Sequence, residues 1–285
     1  MSINAGTLFV VATPIGNRAD ITERAINVLS DVDLVAAEDT RHSKSLLQFF
    51  NITTSLIAYH DHNEEIRAPQ LIEKLLKGQN IALISDAGTP LVSDPGYRLV
   101  KAAHEAGIKV SPVPGACAAV AALSASGIAT DRYRFEGFPP TKSVARQTYF
   151  EKLYKESATL VFYESCHRIR ASLEDMAAIF GGQRVAVLAR EITKTFETIR
   201  KAPLSELLAL VSEDENQRKG EFVIIIEGAE LDEAEGAVFQ VDVDRLLDIM
   251  LKDLPVKQAS ELVAKITGIK KNQLYKKALE MKASN

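Results

Sequence analysis

Four consecutive apolar residues, Ile81, Ala82, Leu83 and Ile84, run without a polar break and give way at once to SDAGTPLVSDPGYRL, residues 85–99. An uninterrupted apolar run of this length is the mark of a strand buried on both faces, because neither of its alternating side-chain sets meets water. Strands of that kind belong to parallel sheets covered by helices on both sides. Gly88, Pro90, Pro95 and Gly96 then permit or fix unusual backbone turns, and Asp86 offers an acceptor at the strand tip. Open α/β sheets place their ligands at the carboxyl ends of their strands. The stretch is either an ordinary strand–turn–helix connection or one wall of a binding site.

The rest of the N-terminal half repeats the pattern. Apolar runs at 7–12, 33–37, 55–59, 81–84 and 108–113 read as strands, separated by helical spacing at 21–29, 43–50, 64–77 and 96–105. Asp20, with Glu23 three residues on, has the form of a capping box for the first helix. This alternation with short loops predicts a parallel α/β layer. The small-residue stretch 116–126 reads as a helix between two halves. Beyond it, strands are expected at 133–138, 158–163, 184–189, 195–200 and 221–227, with helices at 144–155, 168–180 and 204–211. Adjacent strand-like segments there predict a mixed, partly antiparallel second sheet. The expected organisation is an N-terminal α/β domain over 1–115, a second α/β domain over 116–228, an acidic linker over 229–241 and a basic helical domain over 242–285.

In that last region the charge reverses. Residues 230–248 are strongly acidic, whereas Lys252, Lys257, Lys265, Lys270, Lys271, Lys276, Lys277 and Lys282 follow with few acids. Helices at 243–251, 256–266 and 271–282, punctuated by Pro255 and Gly268, read as helix-turn-helix-like, or as a small bundle used only for packing. The net charge of −4 argues against a uniformly basic surface, but a local basic patch still serves nucleic acid. No apolar run approaches the roughly 20 residues of a membrane helix, and the N-terminal MSINAGTLFVVATP lacks the basic region of a signal peptide. The two cysteines lack CxxC spacing and the five histidines form no HExxH; free cytosolic thiols and no metal are expected. His60 and His62 flank Asp61, a weak metal signal.

Polar clusters stand at the ends of the expected strands: TPIGN at 13–17, EDTRH at 38–42, SDAGTP at 85–90 and the Pro114-Gly115 turn. In a parallel sheet these ends share one edge, so one cleft can collect them. There is no GxxxxGK[ST] and no GxGxxG after the first strand, which disfavours a nucleoside triphosphatase or a dinucleotide oxidoreductase. No GxSxG nucleophile appears. A small zwitterion carrying an adenosine, gripped by Pro/Gly loops, suits the pattern better than a polyphosphate.

Together TPIGNRADIT, AAEDTRHS, HDHNE, LISDAGTPLVSDPGYRLV, the VPG turn, FEGFPP, FYESCHR, LAREITKTFETI and KGEFVIIIEG resemble, in order, the small-subunit ribosomal RNA methyltransferase I family. That family belongs to the tetrapyrrole-methylase superfamily of S-adenosylmethionine-dependent enzymes. The likeness runs through residue 228, and the lysine-rich tail is similar to the family's C-terminal helical domain. It departs at Ala12, where a Pro is usual, and at Ala116-Cys117 after the VPG turn. The resemblance implies two α/β domains of tetrapyrrole-methylase type with the methyl donor in the cleft between them. It also implies a cytoplasmic homodimer and 2′-O-methylation of a cytidine ribose at the decoding centre of 16S rRNA, as naked RNA or assembled subunit. The readings left open are a tetrapyrrole or protein methylase of the same superfamily and a non-catalytic ribosome assembly factor.

On this reading Asp86 faces the amino group of the methyl donor, with Ala87, Gly88, Thr89, Leu91 and Val92 shaping the pocket. The resemblance adds Pro14, Ala116, Cys117, Phe162, Ala189, Gly220 and Glu221 as wall residues. Glu38, Asp39, His42 and Glu191 are candidates for a base acting on the 2′-hydroxyl; alternatively they hold structure through ion pairs with Arg41 or Arg190. Arg18, Arg41, Lys44, Lys142 and Arg146 are candidates for RNA phosphates, together with Lys270, Lys271, Lys276 and Lys277 of the tail. In-line methyl transfer needs no metal.

Overall fold

In the computed structural model, which describes residues 5–230 and 243–283, the run 81–84 is the central strand of a five-stranded sheet. In chain order this half comprises β1 (Thr7–Val11), α1 (Glu23–Asp31), β2 (Leu34–Ala37), α2 (Thr40–Phe49), β3 (Leu56–Ala58), α3 (Glu64–Leu76), β4 (Ile81–Ile84), α4 (Tyr97–Glu105) and β5 (Lys109–Val113). Every pairing is parallel, in the order β3-β2-β4-β1-β5. All four side chains of β4 are buried. Ile81 and Leu83 pack with Leu71, Leu75, Leu99 and Ala103 of α3 and α4, while Ala82 and Ile84 pack with Ala25, Leu29 and Leu47 of α1 and α2. This two-sided burial is why β4 shows no polar alternation.

The second half is α5 (Ala118–Ser126), β6 (Tyr133–Gly137), α6 (Ser143–Glu151), β7 (Thr159–Ser165), α7 (Ile169–Phe180), β8 (Val185–Arg190), β9 (Thr198–Pro203), α8 (Leu204–Glu213) and β10 (Glu221–Ile226). Its sheet runs β6-β7-β10-β8-β9, with β6 parallel to β7 and the other pairs antiparallel. Phe162, Leu188 and Ile224 pack on one face against α6, α7 and α8. On the other face Val161, Val187 and Ile225 lie under Ala119, Ala122 and Leu123 of α5. The small residues of α5 thus let a helix lie close to a sheet of β-branched side chains.

Three local expectations are corrected. Asp20 closes a short 3₁₀ turn, Arg18–Asp20, and does not cap α1; Thr22 does, its hydroxyl accepting the Ala25 amide at 3.1 Å. The second helix begins at Thr40, because the Asp39 side chain accepts the Arg41 amide at 2.8 Å and serves as its N-cap. The strand expected at 195–200 is β9, shifted to Thr198–Pro203, because residues 191–197 are held as a turn by Lys194 N–H to Glu191 O at 2.9 Å and Glu197 N–H to Lys194 O at 3.2 Å.

Both sheets fall within one compact unit, 1–229, and residues 230–285 form a second. That second unit holds α9 (Val243–Asp253), α10 (Val256–Thr267) and α11 (Lys271–Ala283), around Leu247, Val263, Leu274 and Ala278. Pro255 precedes α10, and Gly268, at φ 72°, ends it in the left-handed conformation that glycine adopts without strain. The linker expected at 229–241 lies, beyond residue 230, outside the described residues, as do residues 1–4 of the N-terminal stretch. Among the described residues no helix is long and apolar enough to cross a membrane.

Candidate active site

The loop leaving β4 is tied to each neighbouring loop on its sheet edge. Thr13 and Gly88 exchange backbone hydrogen bonds at 2.8 and 3.1 Å, and the Thr13 hydroxyl donates to Ser85 O at 3.3 Å. Asp86 Oδ1 accepts the Asp39 amide at 3.0 Å, and the Asp86 amide donates to Glu38 Oε2 at 3.4 Å. The Thr89 hydroxyl donates to Ala116 O at 3.0 Å. TPIGN, EDTRH, SDAGTP and the segment after the VPG turn are therefore one bonded assembly.

The loop's own backbone is strained. Gly88 and Gly96 have φ of 84° and 134°, and Leu91 and Ser93, which are not glycines, have 72° and 67°. Each such non-glycine residue costs about 1–3 kcal/mol and persists only where its surroundings dictate it. At Leu91 they do. A Cβ on Gly96 would come within 3.0 Å of Leu91 Cδ1 and 2.8 Å of Leu83 Cδ2, so glycine at 96 lets the Leu91 side chain lie down on the core.

Opposite stand the end of β7, the start of β10 and the turn after β8. The two faces enclose a cavity of about 370 Å³, inside the range typical of small-molecule sites. Glu38, Asp86 and Asp94 reach it from two loops of the first half. Ile15, Val92, Cys117, Ile192 and Val223 supply apolar wall, and Phe138, Tyr163, Glu164, Lys194 and Glu221 lie on the second side. Tyr163 is fixed by its hydroxyl, which accepts the Ala119 amide at 3.1 Å, and by edge contacts to Phe135 and Phe138. Glu164 is locked by Arg168 at 2.8 Å, by the Ser172 hydroxyl and by the Ser165 amide. Lys194 Nζ bridges Glu191 at 2.9 Å and Glu221 at 2.7 Å. Gly220 makes room for this pair, since a Cβ there would meet Glu191 Cδ at 2.4 Å.

Two of these acids, Asp94 and Glu38, resist ionisation in this half-buried space. Burial chiefly pushes the Asp94 carboxyl up to about 6, a Ser85 hydrogen bond pulls it down, and Glu38, Asp86 and Asp61 repel its charge. Burial also raises Glu38, with Asp86 adding repulsion, against the Asp86 amide that favours its charged form. Burial raises the Tyr163 phenol. Burial alone would raise Glu191 as well, but Lys194 and the Glu221 amide outweigh it and hold the carboxyl down. Asp39 is held well below the usual carboxylate range by the Arg41 guanidinium and amide.

Of the cofactor candidates, Asp86, Ala87, Gly88, Thr89, Val92, Cys117 and Glu221 line the cavity. Ala116 acts through its carbonyl on Thr89 and Gly220 by making room for Glu191. Pro14 sits between Thr13 and Ile15, the residue that lines the cavity. Leu91 packs down against the α3–α4 side of the sheet. Phe162 is a correction. It is fully buried against Phe150 on the far face of the second sheet, because the period of two along β7 that turns Tyr163 toward the cavity turns Phe162 away. Ala189 is also corrected, being fully buried in the cluster covered by α5.

Among the base candidates, Glu38 lines the cavity, and Glu191 faces an adjoining open basin. Asp39 caps α2 and pairs with Arg41, and His42 is exposed on α2. Arg18, Lys44, Lys142, Lys270 and Lys276 are exposed; Lys271 pairs with Glu261 and Lys277 with Asp244. Arg146 is the clear correction. It is buried, paired with Asp175 at 2.5 Å, and donates to Thr141 O at 3.1 Å, so that it clamps the Pro139-Pro140 loop from within. Asp94 and Lys194 escape a sequence reading. Asp94 stands in a Pro/Gly turn like many surface acids, and Lys194 depends on Glu221, 27 residues away. Among the described residues no group of His, Cys, Asp and Glu is placed to hold a metal ion, and Cys117 and Cys166 are free thiols.

Residues 7–208 match the family Tetrapyrrole (Corrin/Porphyrin) Methylases, and residues 237–282 match the RsmI C-terminal HTH domain. The chain is 56% identical over 275 residues to ribosomal RNA small subunit methyltransferase I of Escherichia coli, spanning 96% of this chain and 95% of that one. It is 53% identical over 278 residues to the protein of the same name from Pseudomonas aeruginosa, spanning 98% of each. Among solved structures it is similar to a diphthine synthase, with a TM-score of 0.61 at 17% identity over 81% of this chain and 93% of that one. It is also similar to uroporphyrin-III-C-methyltransferase from Thermus thermophilus, with a TM-score of 0.56 at 21% identity over 78% and 94%. At these identities the structural likeness is one of fold.

Proposed function

We propose, since the chain belongs to the tetrapyrrole methylases and within them to the ribosomal RNA small subunit methyltransferase I family, that it methylates a cytidine 2′-oxygen in 16S rRNA. The methyl donor is S-adenosylmethionine and the target lies at the decoding centre of the small subunit; the enzyme works as a cytoplasmic homodimer. The observation that carries the reading is the cavity itself: Glu38, Asp86 and Asp94 gathered on one side beside an apolar wall.

The donor fits this setting by chemistry. Its ammonium and sulfonium find carboxylates, and its adenine finds Ile15, Val92, Ile192 and Val223. When bound, it supplies a methyl group activated on sulfur, which the ribose oxygen takes by in-line displacement as the carbon–sulfur bond breaks. Asp86 and Asp94 hold the positive amino group. The strained, multiply tied loop 86–96 fixes the site's shape before substrate arrives, and alignment of this kind contributes roughly 7–11 kcal/mol. Glu38, its carboxyl raised by burial, accepts the 2′-hydroxyl proton at its carboxylate. Arg18, the exposed Lys44 of α2 and the lysines of the second unit contact RNA phosphates, an affinity that weakens with salt.

The test is transfer of a tritiated methyl group from the donor to naked 16S rRNA, assembled small subunits and a tetrapyrrole. Label in ribosomal RNA, at a cytidine ribose, is expected. Label on none of the RNA substrates refutes the reading.

A further inference from the structure

Beside the cavity lies a wider, more open basin of about 790 Å³. Its floor joins both halves of the first unit. Gly16 approaches so closely that a Cβ there would meet Lys194 Cγ at 2.4 Å and Thr193 Oγ1 at 2.8 Å. Lys194 lines both the basin and the cavity, so the two spaces meet at its side chain.

One wall is the turn 191–197, which is rigid. Glu191 and Thr193 have φ of 51° and 67°, the Thr193 amide donates to Glu197 Oε2 at 2.6 Å, and Phe196 O accepts from Arg190 Nη1 at 2.9 Å. On this fixed backbone Phe196, 69% exposed, lines the basin. A single exposed apolar side chain is ordinary. This one is held in a concavity whose opposite wall carries a cation. Arg18 lies on the Phe49 ring, 4.5 Å from its centroid, and donates to Ser45 Oγ at 3.4 Å. Among the described residues no carboxylate pairs with it.

A rigid aromatic shelf, an arginine without an acidic partner and an opening onto a methyl-transfer cavity together match a nucleotide in single-stranded RNA. Unstacked bases settle on aromatic faces, and the phosphates on either side seek cations. Building on the methyltransferase reading above, we infer that the basin seats the target nucleotide or its immediate neighbour, with the base on Phe196 and an adjoining phosphate at Arg18. The ribose then lies at the junction marked by Lys194. Because every base has an aromatic face, Phe196 gives affinity for unstacked RNA and little base selectivity.

The chain contains no tryptophan, so Phe196→Trp creates a single indole reporter in the basin. Adding a short single-stranded cytidine-containing oligoribonucleotide is expected to quench it. Phe196→Ala is expected to raise KM for small subunits roughly 5- to 100-fold, with Phe196→Tyr near wild type and the calorimetric Kd for S-adenosylmethionine unchanged in all three variants. Phe196→Ala with KM within about twofold of wild type, below the loss expected for a stacked base, overturns the inference, as does an indole that the oligoribonucleotide leaves unquenched. If wild type labels no ribosomal RNA, the proposed function fails on its own, and quenching of the indole then still decides for or against a nucleotide seat.

Discussion

The cavity's acids make donor binding depend on pH in a way that can be worked from Asp94. Its carboxyl, ordinarily near 3.8, titrates at about 6 through burial first and then repulsion from Glu38, Asp86 and Asp61, with the Ser85 hydrogen bond opposing. With that value it is about nine-tenths ionised at pH 7 and about one-tenth at pH 5. A bound ammonium or sulfonium favours the charged carboxylate, so binding must draw off the proton at the lower pH. Affinity for S-adenosylmethionine should therefore fall about tenfold between pH 7 and pH 5. Calorimetry in buffers of differing ionisation enthalpy should show proton release at pH 5 and little at pH 7.5. Asp94→Asn should flatten most of this slope. The same variant should be more stable than wild type at pH 7. An acid whose folded pKa is raised destabilises the fold fully above about 6, and the penalty fades as pH falls toward 3.8. Equal affinity at pH 5 and pH 7, or an undiminished slope in Asp94→Asn, would refute the reasoning.

Arg146→Met should lower stability by about 3–5 kcal/mol, because it strands the buried Asp175 carboxylate; thermal melts should shift down by about 6–20 °C. Binding of RNA by the protein that remains folded should be unchanged, and a lost RNA affinity with an unchanged melt would return Arg146 to the surface role. Glu38→Gln should reduce kcat by about 10²–10⁴-fold while donor affinity, measured by calorimetry, changes far less; a retained kcat removes Glu38 as the base. A chain ending at Glu230 should keep donor binding, because the cavity lies wholly within residues 15–223, and should lose rRNA affinity in a filter-binding assay. Equal affinity would show that α9–α11 contribute nothing to RNA.

Several features could be read before any coordinates. The run 81–84 announced a strand buried on both faces, and Ile81 and Leu83 do pack on one side while Ala82 and Ile84 pack on the other. Adjacent strand-like segments announced a mixed second sheet, and the polar clusters at strand ends announced a common edge. These are local signals, carried by neighbours in the chain. The misplaced cap shows the limit even locally: Asp20 and Thr22 are both good capping residues, and only the short turn Arg18–Asp20 decides for Thr22.

What sequence determined by itself was the alternation of elements, the family and the loop around which the site is built, because burial and backbone preference act over a few residues. What tertiary structure alone decided was the facing of individual side chains and the partners of the charged ones. Phe162 looks like its neighbour Tyr163 in composition, yet the pleat sends it into the core. Arg146 looks like a phosphate ligand until Asp175, 29 residues away, meets it in the interior. Asp94 is raised to about 6 chiefly by the burial that the folded loop imposes, and then by repulsion from Glu38 and Asp86. A charge takes its role from the field and the burial around it, and both are created by parts of the chain that sequence order keeps far apart.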